Sequence, residues 1–181
     1  AILTSKNHKT GTDRIYEALK KLGRPDIELV MNLQGDEPLM NIKDIRNLHN
    51  QMLKKKSEIG TLASNIVDKN LYDEQNVVKV ITAESLESSE FSEAIKFMRK
   101  TDYVSKNIYH HLGIYCYQFE TLKNFVSLKQ SNNEIKNNLE QLRALDNNIK
   151  INVSLAKESP IGVDTEKDYV AIKKIMEYKS K

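Results

Sequence analysis

Short apolar runs of strand length alternate with segments of helical period along most of this sequence. No other feature constrains the fold as strongly. Residues 27–33 (IELVMNL) make one such run. The polar stretch Gln34-Gly35-Asp36-Glu37-Pro38 follows, and residues 41–55 then place Ile42, Ile45, Leu48 and Met52 on one helical face. The pattern returns in strand-like runs at 59–67, 77–81, 111–117 and 151–155. Helical stretches are expected at 13–22, 119–128, 132–146 and after Gly162-Val163-Asp164-Thr165. In the first of these, Thr12 is the expected N-cap, with Gly23 and Pro25 ending the helix. In 132–146, Ile135, Leu139, Leu142 and Leu145 are expected on one inner face of a single helix. The last helix is expected to turn Tyr169, Ile172, Ile175 and Met176 inward.

Such alternation predicts an α/β fold with a mainly parallel sheet, and residues 27–33 read as a buried parallel strand. Several strand-like runs in succession between 59 and 118 predict an antiparallel part or a separate flap. The segment 84–106 is polar, with Phe91, Ile95 and Phe97 as isolated anchors, and has no clear period. With 181 residues, 39% of them hydrophobic and 29% charged, the chain suits one globular domain and argues against disorder. Its 28 basic and 25 acidic residues are interspersed, so nothing supports nucleic-acid binding. No apolar run approaches the roughly 18–20 residues of a membrane helix, and membrane insertion is not expected. A single cysteine, Cys116, excludes an internal disulfide and a CxxC zinc site, and it reads as a small core residue. His8, His49 and His110 have no metal-like spacing.

Four places could carry chemistry. Asp36 and Glu37 lie in a loop directly after a strand, where open α/β sheets bind ligands, and could hold a divalent metal through oxygen. The same loop reads equally as a helix cap. Asp164 lies in a second Gly-Asp loop between strand and helix, with the same two readings. His111, Gly113 and Tyr115 share one face of a strand, with Leu112 and Ile114 on the other. That face is either a sugar or anion platform or an ordinary edge strand. Finally, Leu139-Glu140-Gln141-Leu142-Arg143 turns Glu140, Gln141 and Arg143 outward on a helix, where surface salt bridges are the default.

Taken together, Thr10-Gly11-Thr12-Asp13-Arg14, Gln34-Gly35-Asp36-Glu37-Pro38, His111-Leu112-Gly113-Ile114-Tyr115, Leu139-Glu140-Gln141-Leu142-Arg143 and Gly162-Val163-Asp164-Thr165 resemble, in content and order, the motifs of the 3-deoxy-manno-octulosonate (KDO) cytidylyltransferases. The resemblance covers nearly the whole chain and is weakest between residues 84 and 109. It implies a single Rossmann-like α/β nucleotidyltransferase domain over 1–181, with a mixed sheet flanked by helices and a small antiparallel dimerisation flap near 85–118. It also implies transfer of CMP from CTP to KDO with release of pyrophosphate, for lipopolysaccharide synthesis in the cytoplasm by a homodimer that requires Mg2+. By the same resemblance, Asp36 and Asp164 are metal ligands. Gln34, His111, Tyr115, Glu140 and Gln141 line the sugar pocket, and Arg14 lies near the sugar acid.

Two departures give further expectations. The family's N-terminal phosphate-binding loop has no counterpart here, and Ala1-Ile2-Leu3-Thr4 reads as the end of a strand. The chain is therefore expected to be a truncated member that does not bind CTP or make CMP-KDO by itself. The family's Phe-Ser-Arg reads Phe91-Ser92-Glu93 here, and an anion in place of a cation is expected to weaken anionic substrate binding unless Glu93 pairs with Lys96 or Arg99. Three other readings compete: a cytidylyltransferase for another sugar acid, of the sialic-acid type, a non-catalytic dimerising remnant, and a plain carbohydrate-binding module, which would have no reason to keep both the Asp36 and Asp164 loops.

Overall fold

The computed structural model describes residues 1–24, 26–101, 106–157, 162–163 and 165–179. Its elements, in chain order, are α1 (Gly11–Leu22), β1 (Leu29–Asn32), α2 (Ile42–Lys55), β2 (Ile59–Ser64), β3 (Lys79–Thr82), β4 (Ser92–Met98), β5 (Ile108–Gln118), α3 (Phe119–Ser127), α4 (Asn132–Asn137), α5 (Leu142–Asp146), β6 (Ile151–Leu155) and α6 (Glu166–Lys179). Six strands form one sheet in the order β1-β5-β2-β6-β4-β3. β3 also pairs with the start of β5. Pairing therefore runs in a circuit from β5 through β2, β6, β4 and β3 back to β5.

The sheet is mixed rather than mainly parallel. Among the described residues only β2 and β6 run parallel, and β1 pairs antiparallel with β5, so it is not the parallel strand expected at 27–33. β5 accounts for the difference. It is long enough to lie between β1 and β2 with its second half while its first half meets β3. Segment 84–106 contains β4, antiparallel to β3. Glu93 on β4 pairs with Lys150 at 3.1 Å instead of Lys96 or Arg99, because a strand does not bring i+3 neighbours together. Residues 1–4, read from sequence as a strand end, form no strand.

Side-chain alternation along β5 builds the core on both faces. Leu112, Ile114 and Cys116 pack with Leu48 and Met52 of α2. Tyr109, Tyr115 and Tyr117 point to the other face, where Leu122 and Phe125 of α3 and Leu142 of α5 close over them. α2 starts at an Asn41 cap and lies so close to β2 that a Cβ on Gly60 would stand 2.6 Å from Met52 Sδ and 2.9 Å from Leu48 Cδ1. Both neighbours are almost fully buried and have little room to yield. Gly60→Ala is expected to destabilise the fold by about 1–3 kcal/mol, the usual cost of overpacking, with a matching shift in a urea midpoint.

Three local expectations are corrected. Thr10, not Thr12, caps α1 by accepting from the Asp13 amide, and Thr12 is buried. The helix expected over 132–146 is two helices. Asn138 takes a left-handed conformation (φ 50°), which Asn tolerates better than most residues, and ends α4. The break exposes Ile135 and buries Arg143, whose guanidinium makes two hydrogen bonds to Glu134, at 2.9 and 2.6 Å. On α6, Ile172 is buried, but Tyr169 and Met176 are about half exposed (50% and 48%), so only part of the expected inner face is covered by the described residues.

Candidate active site

A cavity of about 690 Å³ opens on the β5 face that carries the tyrosines. Its floor is β5 itself, through His111, Gly113, Tyr115 and Tyr117. One wall is the loop after β1, with Gln34 and Glu37. A second is the strand-entry segment Asn76-Val77-Val78, and a third is the break between α4 and α5, with Asn138, Leu139, Glu140 and Gln141. Helix α5 begins only at Leu142, so the break faces Glu140 and Gln141 into the cavity. A continuous helix with Leu139 and Leu142 inward would have turned them to solvent. Gln141 is 8% exposed, and Arg143 is 2% exposed rather than solvated.

Long-range contacts hold these walls. The Arg99 guanidinium donates to the carbonyls of Asn137 (2.9 Å), Asn138 (2.8 Å) and Gln75 (3.1 Å), tying the break to the segment beside Asn76. The fully buried Lys79 ammonium donates to the carbonyls of Glu74 and Arg99, at 2.6 Å each. Gln34 Nε2 donates to the Gly113 carbonyl at 3.1 Å, fastening the β1 loop to the floor. The floor itself is irregular: Thr61 lies opposite Tyr115 but Leu62 opposite Leu112, so Gly113 and Ile114 bulge out of register. Thr61 Oγ1 sits at the bulge, 3.0 Å from His111 Nε2.

The rings on the floor pack together, with His111 and Tyr115 centroids 5.4 Å apart and Tyr115 stacked on Tyr117 at 5.9 Å. Burial pushes the His111 pKa down to about 3, with neighbouring His110 adding to the shift. Burial likewise raises the Tyr115 hydroxyl well above its ordinary value, helped by Tyr117 and Glu140. Burial also raises Glu140, against the lowering effect of the Thr12 and Thr10 hydroxyls and Arg143. Glu140 Oε1 is buried and takes no hydrogen bond from the protein. At neutral pH, then, the floor offers a neutral imidazole and an intact phenol.

A pH dependence follows. An unfolded His111 binds a proton below about 6.5, while the folded one resists it until about 3. The unfolded state therefore binds more protons in that window, and stability falls as pH drops through it. His110, also shifted down by burial, acts in the same sense. His111→Gln is expected to flatten the fall in urea midpoint between pH 6.5 and pH 4 relative to the unsubstituted protein.

Of the residues singled out from sequence, Gln34, His111, Tyr115, Glu140 and Gln141 line this one cavity. Arg14 does not. It lies on the exposed side of α1, and its Nη1 donates to Thr4 Oγ1 (2.9 Å) and the Ser5 carbonyl (3.1 Å). Asp36 is exposed just outside the cavity, against Val163 and Tyr169. Its carbonyl accepts from the Val163 amide at 2.8 Å, so the Gln34–Pro38 loop and the start of the Gly162 loop touch. Asp164 lies outside the described residues. Among the described residues no three His, Cys, Asp or Glu side chains cluster as a metal site, and no helix is long and apolar enough to cross a membrane. Sequence reasoning missed Thr61 and Arg99. A lone threonine in the otherwise small and apolar, fully buried run Ile59–Ser64 was the available signal for the first.

The mixed sheet flanked by helices is that of the nucleotidyltransferase fold, as its likeness to solved structures shows. UDP-glucose pyrophosphorylase shares it at a TM-score of 0.68 over the whole chain and 64% of that protein, at 14% identity, a likeness of fold alone. The sequence profile described as cytidylyltransferase matches residues 1–151. The 3-deoxy-manno-octulosonate cytidylyltransferase of Bartonella tribocorum is 38% identical over 177 residues, covering 97% of this chain and 72% of the relative. That of Thermodesulfovibrio yellowstonii is 41% identical over 186 residues, covering 97% and 73%. The structure of CMP:2-keto-3-deoxy-manno-octonic acid synthetase complexed with CTP superposes with a TM-score of 0.85 at 29% identity, over 99% of this chain and 73% of that one. The chain belongs to the 3-deoxy-manno-octulosonate cytidylyltransferase family.

Proposed function

We propose that this chain provides the sugar-acid site of a CTP:3-deoxy-D-manno-octulosonate cytidylyltransferase, an enzyme that joins CMP from CTP to the anomeric hydroxyl of KDO and releases pyrophosphate. The observation that carries the reading is the gathering of Gln34, His111, Tyr115, Glu140 and Gln141 from three separate segments around one cavity, in a chain of this family. About 690 Å³ is ample for an eight-carbon sugar acid. The cavity surface suits a polyhydroxylated ligand: Tyr115 and the two glutamine amides donate and accept, His111 is neutral, and the free Glu140 Oε1 accepts a hydroxyl proton.

The reaction is an in-line displacement at the α-phosphorus, so orientation and charge neutralisation supply most of its rate. Gln34 fixes the β1 loop to the floor, and the Glu140–Gln141 break holds the sugar from the opposite side, so that one hydroxyl is presented toward the loops carrying Asp36 and Asp164. Those loops touch through the Val163–Asp36 hydrogen bond, and their hard carboxylate oxygens fit Mg2+, which typically takes one or two protein carboxylates together with substrate phosphates. Mg2+ held by Asp36 and Asp164 would supply neutralisation of the phosphate charge. We place the enzyme in the cytoplasm, where CTP is available, as a homodimer feeding KDO into lipopolysaccharide.

Tyr115→Phe is expected to weaken KDO binding by about 0.5–1.5 kcal/mol, one neutral hydrogen bond, read by titration calorimetry. The whole reading is tested by pyrophosphate release with CTP, KDO and Mg2+, measured on this chain and on the product of the complete reading frame that encodes it. KDO-dependent release supports the reading. Its absence from both, or equal release with a sialic acid in place of KDO, overturns it.

A further inference from the structure

Thr61 stands at the bulge in β5 with one hydroxyl proton and three polar neighbours. Its Oγ1 is 2.7 Å from the Ile114 carbonyl oxygen, 3.3 Å from the Leu112 carbonyl oxygen and 3.0 Å from His111 Nε2. Two oxygens 2.7 Å apart repel unless a proton lies between them. The Ile114 carbonyl has none to give, so the Thr61 proton lies on that line. Thr61 then has only lone pairs left for His111, and His111 Nε2 must carry the hydrogen that fills the 3.0 Å contact. The residue is wholly buried, so no water can take over either role.

We propose that Thr61 is a positioning residue that locks His111 as the neutral Nε2–H tautomer and leaves Nδ1 as a hydrogen-bond acceptor for the cavity. His111 then receives a donor group of the ligand, such as a sugar hydroxyl, and does not serve as a cation for its carboxylate. The burial that holds the imidazole pKa near 3 is in accord with this, because a neutral ring has one acceptor nitrogen. Edge contact with Phe97 at 5.0 Å and tilted contact with Tyr115 further fix the ring plane. The bulge thereby has a use: skipping Gly113 and Ile114 brings the two carbonyls to one side of Thr61, where a regular ladder would spread them along the strand.

The ligand assignment rests on the KDO reading above, but the tautomer does not, and the test separates them. In protein labelled with 15N-histidine, long-range 1H–15N correlation at pH 7 is expected to show His111 with a protonated Nε2 and an unprotonated Nδ1. The signal is assigned by its loss in His111→Gln. Thr61→Ser is expected to keep that pattern, and Thr61→Val to lose it. Calorimetry is expected to show KDO binding about fivefold to tenfold weaker in Thr61→Val, with near-normal binding in Thr61→Ser. An Nδ1–H tautomer or an imidazolium in the unsubstituted protein overturns the proposal, whether or not Thr61→Val folds. Equal KDO affinity of the unsubstituted protein and Thr61→Val overturns the positioning role. If the tautomer is as stated but the unsubstituted protein binds no KDO, the functional reading and the assignment of a sugar hydroxyl to Nδ1 fall together.

Discussion

Replacing Asp36 with Asn in the product of the complete reading frame is expected to lower kcat at least about a hundredfold while changing KDO affinity little. The side chain is exposed outside the cavity that holds the proposed sugar ligands, so its loss removes no pocket wall. It lies in the loop that hydrogen-bonds to the second acidic loop through Val163, where a carboxylate can serve the phosphates. Asn keeps the volume and one acceptor but removes the charge that a divalent cation needs. Steady-state kinetics with CTP and KDO varied separately distinguish the roles. A fall in kcat with an unchanged KDO term supports a metal-holding carboxylate. A raised KM for KDO with unchanged kcat would place Asp36 in sugar binding instead.

The second large effect concerns stability. Glu134 and Arg143 are 3% and 2% exposed and are joined by two hydrogen bonds across the α4–α5 break. The arginine also covers the Phe125 ring at 4.6 Å. Burial alone would raise the Glu134 carboxyl, but hydrogen bonds from Arg143 and Gln130 outweigh it and hold the pKa below its ordinary value. Glu134→Ala leaves a guanidinium buried without its partner and is expected to cost about 3–5 kcal/mol. For a chain of this size that is a fall in Tm of roughly 10 °C. Replacing both residues, as Glu134→Leu with Arg143→Met, is expected to recover much of the loss, because no charge is then stranded. Since the Glu134 pKa is lowered, the pair's contribution is present above the ordinary carboxylate range and fades as pH falls below it.

This pair also shows where sequence reasoning stopped. The period of Leu139, Leu142 and Leu145 was legible, and Leu139 and Leu142 are indeed buried. The break was not, because Asn138 is held left-handed by contacts remote in sequence, above all Arg99, 39 residues away. Without the break, Glu140 and Gln141 read as a solvated helix face, and only their likeness to a family motif pointed to a pocket. The alternation of His111 to Tyr117 was legible because β5 is buried on both faces, whereas the bulge at Gly113 and Ile114 against β2 was not. β4 was hidden because its burial does not alternate: Ile95 and Lys96 are both exposed, Phe97 and Met98 are both buried, and Glu93 has its partner 57 residues on. For Arg14 the family motif suggested a place beside the sugar acid, and the structure ties its guanidinium to Thr4 and Ser5 on the exposed side of α1. Thr12 took the cap from Thr10 on paper because both are good caps. What separates them is the extended backbone of Thr10, whose hydroxyl accepts from the Asp13 amide, and the hydrogen bond between the buried Thr12 and Tyr117.

The central claim is that one cavity, built from the β1 loop, β5 and the α4–α5 break, takes the sugar acid. Titration calorimetry of KDO into the protein, with Mg2+ and a CTP analogue that cannot transfer CMP, tests it most directly when paired with Gln141→Ala. The account predicts saturable binding at one site per chain, weakened about tenfold by the substitution, since a buried amide that holds hydroxyls is removed from a wall. No saturable binding by the unsubstituted protein, or equal affinity with and without the Gln141 side chain, would contradict it.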